Sequence, residues 1–246
     1  MFPTLSLGPV VLPTAGIVYI LGVWLLLSVI EKAAKALNLN VEATYNLATL
    51  TLVVGLIGAR VIFVALHWSA YQENLIGIVW PLTSGFDIWG GLIFGLAAAF
   101  FYGRYRQLPP FATLDALLPG LLIAFIIISL ADFLGGPGYG KETSLFWGID
   151  LFGIRRHPVQ IYEIVVGVLA LTAWWRTLPH RTFDGQLFLI GTAVYSAGRL
   201  LVDAFRANAW LTNSGYHVLQ ILSLFILLAS LLILARKQSA SPRMTS

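Results

Sequence analysis

The chain contains no cysteine. This excludes disulfide bonds, thiolate metal sites and a cysteine nucleophile belonging to the protein itself. Any thiol chemistry must therefore use a thiol that a partner supplies. The four histidines and the carboxylates also lack the spacing typical of a metal site. We accordingly expect neither a metal nor a cofactor.

Charged residues are scarce, at 11% of 246 residues, whereas 58% are hydrophobic. Soluble domains carry roughly a quarter charged residues, so the composition indicates an integral membrane protein. The net charge of +4 is scattered over short loops and forms no basic stripe, which argues for membrane lipids and against nucleic acid as partners. The start, MFPTLSLGPVVLPTAG, lacks a basic n-region, so we expect the first apolar segment to remain in the mature protein.

Seven apolar stretches approach the roughly 20 helical residues that a bilayer core requires. They run approximately over 14–30, 46–66, 86–102, 114–134, 158–175, 186–206 and 217–235. The loops between them are too short for another domain. We predict an all-α integral membrane protein, a bundle of about seven transmembrane helices that forms a single multi-pass domain over residues 1–246.

The basic residues of the loops predict the orientation of the chain. With the N-terminus outside, the inner loops and the tail hold nine basic residues: Lys32, Lys35, Arg104, Arg106, Arg176, Arg181, Arg236, Lys237 and Arg243. The outer loops hold three: Lys141, Arg155 and Arg156. The bias predicts an external N-terminus and a cytoplasmic C-terminus.

Several predicted spans contain charged side chains, each of which costs about 2.5–3.5 kcal/mol at mid-bilayer and so requires a partner or a function. They are Arg60, Asp132, Glu163, Arg199, Asp203 and Arg206. Tyr195, Arg199 and Asp203 are four residues apart and Arg206 follows three later, which predicts one stripe on a helix. Either Arg199 and Asp203 neutralise each other and lock the bundle, or the two arginines leave positive charge for an anionic headgroup.

The segment RRHPVQIYE, residues 155–163, concentrates polar side chains before an apolar run. They are Arg155, Arg156, His157, Gln160, Tyr162 and Glu163. Pro158 fits the first turn of a helix whose positive end favours anions. The pattern favours a phosphate-rich ligand from the outer leaflet; interfacial anchoring by the arginines is the alternative. We interpret His67, His180 and His217 as interfacial residues.

HPVQIYE before an apolar helix, YSAGRLLVDAFR in the next span and QILS in the last resemble the prolipoprotein diacylglyceryl transferase family. GPV at the start, GAR, GGLI and GQLFLIG extend the likeness along the chain. The resemblance implies a transferase of bacterial lipoprotein maturation in the plasma membrane. Its substrates would be phosphatidylglycerol, which supplies the diacylglyceryl group, and a lipoprotein precursor, whose cysteine thiol accepts it.

The family's motifs carry over to part of the chain. The matching residues are His157, Gln160, Tyr162, Glu163, Tyr195, Arg199 and Arg206, while Asp203 stands where a glutamate is usual. At five other family positions the residue differs. Trp89 replaces a histidine; Ser129, Asp132 and Pro137 replace the arginine, asparagine and glutamate of a signature that resembles GRxGNFxNxE; and Ala15 replaces a tyrosine.

Transfer to a thiol requires stabilisation of the departing phosphate and a base for the thiol. We expect catalytic roles for His157, Glu163, Arg199 and Asp203. We expect substrate contacts from Gln160, Tyr162, Tyr195, Arg206, Asp132, Arg155 and Arg156. Two other functions stay open: a catalytically silent relative that binds lipid or a membrane partner, which the altered signature favours, and a small transporter, against which the lack of an inverted repeat argues.

Overall fold

The computed structural model describes residues 4–7, 10–73, 75–79, 85–151 and 153–240. Gly8 and Pro9 of the GPV motif, and Arg243 of the basic tail, lie outside these residues. The described part of the chain has eight α-helices: α1 Thr14–Ala36, α2 Val41–Leu66, α3 Ile76–Val79, α4 Ile88–Tyr105, α5 Pro110–Gly135, α6 Val159–Thr177, α7 Gln186–Val202 and α8 Val218–Ala240. Two antiparallel hairpins join β1 Thr4–Leu7 to β2 Val10–Pro13, and β3 Ile149–Leu151 to β4 Ile154–Arg156.

Six described helices are long and apolar enough, by length and composition alone, to cross a membrane. These are α1, α2, α5, α6, α7 and α8. Two of them, α6 and α7, are extended at the C-terminal end by a short 3-10 turn. Helix α4 occupies the remaining predicted segment; its 18 residues span about 27 Å, slightly less than a hydrocarbon core of about 30 Å. The predicted class, an all-α multi-pass membrane protein, is confirmed.

Residues 30–117 form one of two compact units into which the chain divides. Small residues let α2 and α4 approach closely within it. A Cβ atom added to Gly95 would lie 3.1 Å from the Thr51 carbonyl oxygen, and one added to Gly91 would lie 3.2 Å from Cβ of Ala59. A side chain at either position would require the neighbouring helix to shift by a few tenths of an ångström, so glycine favours this close packing.

Arg60, the charged residue of the second predicted span, has a structural role in this unit. Its guanidinium donates hydrogen bonds to the backbone carbonyls of Gly77, Ile78 and Gly85. It also lies 5.5 Å from the ring centre of Tyr71 and 5.7 Å from that of Phe86. Backbone acceptors and aromatic rings thus compensate the cost of this charge.

The second unit comprises the described residues of 1–29 and 118–246 and contains all the predicted site residues. Its helices α6 and α7 pack closely, because a Cβ atom on Gly198 would lie 2.5 Å from a methyl of Val166. A Cβ atom on Gly167 would lie 2.5 Å from Cγ1 of Ile126, so α5 and α6 also approach closely. The single domain predicted from the sequence stays a prediction.

Backbone pairing at one end of this unit joins the loop after α5 to the residues that follow α7. Gly140 forms an antiparallel bridge with Arg206, and Glu142 forms another with Arg156. The Lys141 amide donates to the Phe205 carbonyl at 2.8 Å, and the His157 amide donates to the Lys141 carbonyl at 2.9 Å. The start of α6 and the end of α7 are therefore held side by side.

A topology measurement tests the spanning helices. If α5 and α6 both cross the membrane, reporters fused at residues 110 and 145 lie on opposite sides, and a third at residue 181 lies on the same side as residue 110. Paired alkaline phosphatase and fluorescent protein fusions measure this directly. If the reporters at residues 110 and 145 lie on the same side of the membrane, α5 does not span it.

Candidate active site

One buried carboxylate, that of Glu163, joins three parts of the unit. Its side chain is 6% exposed. Oε1 forms ion pairs with Nη1 of Arg199 and Nη2 of Arg206, and Oε2 accepts a hydrogen bond of 3.0 Å from the Ser129 hydroxyl. Ser129 belongs to α5, Glu163 to α6 and Arg199 to α7. These four residues form the Glu163 cluster.

The end of α7 positions the second arginine. The helix ends at Val202, residues Asp203–Phe205 form a 3-10 turn, and Arg206 has an extended backbone with φ −77° and ψ 132°. The prediction of one helical stripe through Arg206 is therefore wrong. Arg206 leaves the helix, and this turn allows its guanidinium to reach the carboxylate that Arg199 also contacts.

Asp203 is completely buried, at 0% exposure. Its Oδ2 lies 2.8 Å from Nδ1 of His217, and its Oδ1 lies 4.0 Å from Nε of Arg206. At 4.0 Å, Asp203 and Arg206 form an ion pair but no hydrogen bond. Arg199 pairs with Glu163 instead of Asp203, so the pair considered from the sequence is not the one that forms.

The charges of the site balance. Arg199 and Arg206 contribute two positive charges, and Glu163 and Asp203 contribute two negative charges. The positive surplus predicted from span six is therefore wrong for this group of residues. Span six alone holds two arginines and one aspartate. The additional carboxylate, that of Glu163, comes from α6.

Asp132, in the last turn of α5, and Gln160, in the first turn of α6, lie beside this group and contact the loop that follows α5. A Cβ atom on Gly138, where φ is +73°, would lie 3.3 Å from Oδ2 of Asp132 and 3.2 Å from Nη1 of Arg206. Gln160 is 1% exposed, and its amide nitrogen donates to the Pro137 carbonyl at 2.9 Å. A side chain at residue 138 would be strained and would press on both charged groups.

His157 and Tyr162 belong to an aromatic group at the same end of the unit. Nδ1 of His157 lies 3.3 Å from the Tyr162 hydroxyl, which accepts a 2.8 Å hydrogen bond from the Trp147 indole. The His157 ring also lies 4.8 Å, centre to centre, from Phe205. Phe205 immediately precedes Arg206, so this aromatic group adjoins the Glu163 cluster through the backbone.

Arg155 and Arg156 form ion pairs with exposed carboxylates. Nε of Arg155 lies 3.6 Å from Asp150, and Nη2 of Arg156 lies 3.7 Å from Glu142. The Arg156 guanidinium also lies 5.1 Å from the Tyr139 ring centre. The structure therefore does not bring these two arginines to Glu163, and their contacts match the interfacial alternative.

Tyr195 lines a narrow crevice beside the Glu163 cluster. Its ring stacks on Phe125 with 4.8 Å between the ring centres. The crevice is lined by Glu163, Val166, Tyr195, Arg199 and Val202, and it is too narrow for a water molecule. A ligand can therefore contact Arg199 from this side only if the side chains that line the crevice move.

Sequence reasoning missed His217, which we interpreted as an interfacial residue. A signal was available, because a carboxylate inside a span requires a partner. Asp203 ends one predicted span and His217 begins the next, so both belong to the same end of the bundle. Ser129 stands where the family signature has an arginine, and the sequence does not predict its hydrogen bond to Glu163.

The helices and the Glu163 cluster define a class: a multi-pass membrane protein with a buried site of arginines and carboxylates. The chain belongs to the prolipoprotein diacylglyceryl transferase family, whose model matches residues 3–236. The family predicted from the sequence is confirmed.

Three relatives carry the name phosphatidylglycerol–prolipoprotein diacylglyceryl transferase. The one from Clostridioides difficile is 29% identical over 180 residues, with 72% of each chain covered. That from Enterococcus faecalis is 27% identical, with 88% of this chain and 83% of the relative covered. That from Tropheryma whipplei is 26% identical, with 97% and 93% covered.

Glu163→Gln tests the energetics of the cluster. The change removes the carboxylate that Arg199 and Arg206 share and leaves Arg206 only the 4.0 Å pair with Asp203, so we expect a loss of about 3–5 kcal/mol in the free energy of unfolding. Denaturation of the purified protein in detergent measures this. Glu31→Gln is the matched control; it removes the exposed pair with Lys35 and costs less than about 1 kcal/mol. Equal stability of the two variants would contradict the importance of the buried carboxylate.

Proposed function

We propose that this chain transfers the diacylglyceryl group of phosphatidylglycerol to the cysteine thiol of lipoprotein precursors in a bacterial plasma membrane. Membership of the family and the names of the three relatives support this activity. The structural observation that carries it is the Glu163 cluster, which places two arginines at one end of a membrane-embedded unit. None of the three relatives favours a silent member of the family.

The proposed reaction is a displacement at carbon. The sulfur of the protein substrate attacks the diacylglyceryl carbon that is bonded to a phosphate oxygen. A carbon–sulfur bond forms as the carbon–oxygen bond breaks, and the electron pair of the broken bond stays with the phosphate. Glycerol phosphate leaves with additional negative charge, which is what hydrogen-bond donors in the site must stabilise.

Arg199 is our first candidate to receive that charge. A guanidinium has five N–H donors in a planar fork that matches two phosphate oxygens. The ion pair with Glu163 uses Nη1, so other donors of the same guanidinium remain to be offered to a phosphate. Glu163 thus orients the Arg199 guanidinium and leaves several of its N–H groups available to a phosphate.

Arg206 supports the same site from beyond the end of α7. Its Nη2 faces Glu163, and among the described residues its buried Nε has no hydrogen-bond acceptor. Asp132 lies near the same guanidinium. Because Glu163, Asp203 and Asp132 offset the charge of the two arginines, we infer that the phosphate is selected by oriented donors instead of by a net positive field.

Entry of the lipid requires the crevice to open. Val166 of α6 and Val202 of α7 close it beside Tyr195, and these apolar side chains also suit contact with an acyl chain. Gln160, Tyr162 and the neighbouring loop would then border the headgroup. We propose Gln160, Tyr162, Tyr195, Arg206 and Asp132 as substrate contacts, with Arg155 and Arg156 at the membrane surface.

The loop charges support the proposed orientation, with the N-terminus outside and the C-terminus in the cytoplasm. In this orientation the Glu163 cluster lies toward the outer leaflet, because α5 leads outward and α6 begins at that side. Lipoprotein precursors would present their cysteine there. The partners are thus phosphatidylglycerol, other membrane lipids and the precursors, and we expect no nucleic acid.

Arg199→Lys tests the proposed reaction. The purified protein is incubated with phosphatidylglycerol and a lipobox peptide, and the thioether product is measured by mass spectrometry. Lysine keeps the charge and loses the planar fork, so we expect transfer to fall by about 10²-fold or more.

Arg176→Lys, an exposed change in the last turn of α6, is the control and should transfer at the parent's rate. No thioether from folded parent protein would overturn the proposed function. Equal rates for the parent and Arg199→Lys would overturn only the role of Arg199.

A further inference from the structure

The proposed transfer requires removal of the thiol proton, and the surroundings of each candidate base differ. Both oxygens of Glu163 already accept from partners, two arginines and Ser129, so this carboxylate is a fixed anchor. His157 faces the Tyr162 hydroxyl with Nδ1 and packs on Phe205. The remaining histidine of this end of the unit is His217.

His217 is held by a completely buried carboxylate. Its Nδ1 lies 2.8 Å from Oδ2 of Asp203, and 20% of the histidine side chain is exposed whereas 1% of the aspartate side chain is. When Nδ1 donates to a carboxylate, the neutral ring carries its lone pair on Nε2. Among the described residues, no hydrogen-bond partner is found for Nε2. The free nitrogen is therefore the one able to accept a proton.

The chain on both sides of His217 fixes its position. Leu211 forms an antiparallel bridge with His217, and Gln220, one turn into α8, donates to the Leu200 carbonyl of α7 at 3.0 Å. These contacts hold the start of α8 against the end of α7. The histidine is consequently part of an ordered site and is connected through Asp203 and Arg206 to Glu163.

We propose that His217, oriented by Asp203, accepts the proton of the attacking thiol. The sulfur–hydrogen bond breaks, the proton moves to Nε2, and the sulfur keeps the electron pair with which it attacks the diacylglyceryl carbon. The imidazolium is paired with the Asp203 carboxylate, and it releases the proton to water after glycerol phosphate has left. Atoms and charges balance, and no further reactant is needed. This inference rests on the proposed transfer to a thiol.

A purely structural pair would look similar, since a histidine can simply satisfy a buried aspartate. The two roles differ in their dependence on the nucleophile. A cysteine thiol needs a base, whereas a selenol is a much stronger acid and is already ionised at neutral pH. A base therefore matters for a cysteine peptide and not for its selenocysteine counterpart, while a structural defect impairs both.

His217→Asn is the decisive variant, because the asparagine amide can still donate to Asp203 and offers no basic nitrogen. Transfer from phosphatidylglycerol is measured with lipobox peptides that contain cysteine or selenocysteine. We expect the cysteine rate to fall by about 10²-fold or more and the selenocysteine rate to remain near that of the parent. His180→Asn, in an exposed turn, is the matched control and should change neither rate.

Each other outcome has a defined meaning. A parent that transfers to neither peptide overturns the proposed function and this inference with it. An active parent whose His217→Asn variant loses both rates equally, or neither, overturns the role of His217 alone. If the asparagine variant does not purify as a folded protein, His217→Gln is measured with the same two peptides and decides by the same criterion.

Discussion

The buried carboxylate of Glu163 is the interaction on which the site depends. An ionised carboxyl in an apolar bundle is unfavourable unless charged and hydrogen-bonding partners surround it. Here the partners come from two other helices and from the segment after α7: Ser129, Arg199 and Arg206. Removing any one leaves a buried polar group uncompensated. The requirement to satisfy one charge therefore fixes the relative position of α5, α6 and the end of α7.

This arrangement also sets the electrostatic character of the site. The carboxylates of Glu163 and Asp203, with Asp132 nearby, offset the two arginines, so a lipid phosphate gains little from net charge and depends on guanidinium N–H groups that are already oriented. Asp203 extends the network to His217. Binding of a phosphate and transfer of a proton thus rely on different ends of one connected set of side chains.

The sequence predicted the membrane class and the family, because long apolar segments and HPVQIYE are local features. It also indicated that Arg199 and Glu163 need partners. It did not predict which partners, since their choice depends on how α6 and α7 pack. The turn that takes Arg206 off the helix and the contact of Asp203 with His217 arise from tertiary structure, which periodicity along one segment does not encode.

A double-mutant cycle tests the central claim most directly. The free energies of unfolding of the parent, Glu163→Gln, Arg206→Gln and the double variant are measured in the same detergent. Because the two groups share one buried ion pair, the double variant should lose less than the sum of the single losses, by at least about 1 kcal/mol. Losses that add to within about 0.5 kcal/mol would contradict the account, since Glu163 and Arg206 would then act independently.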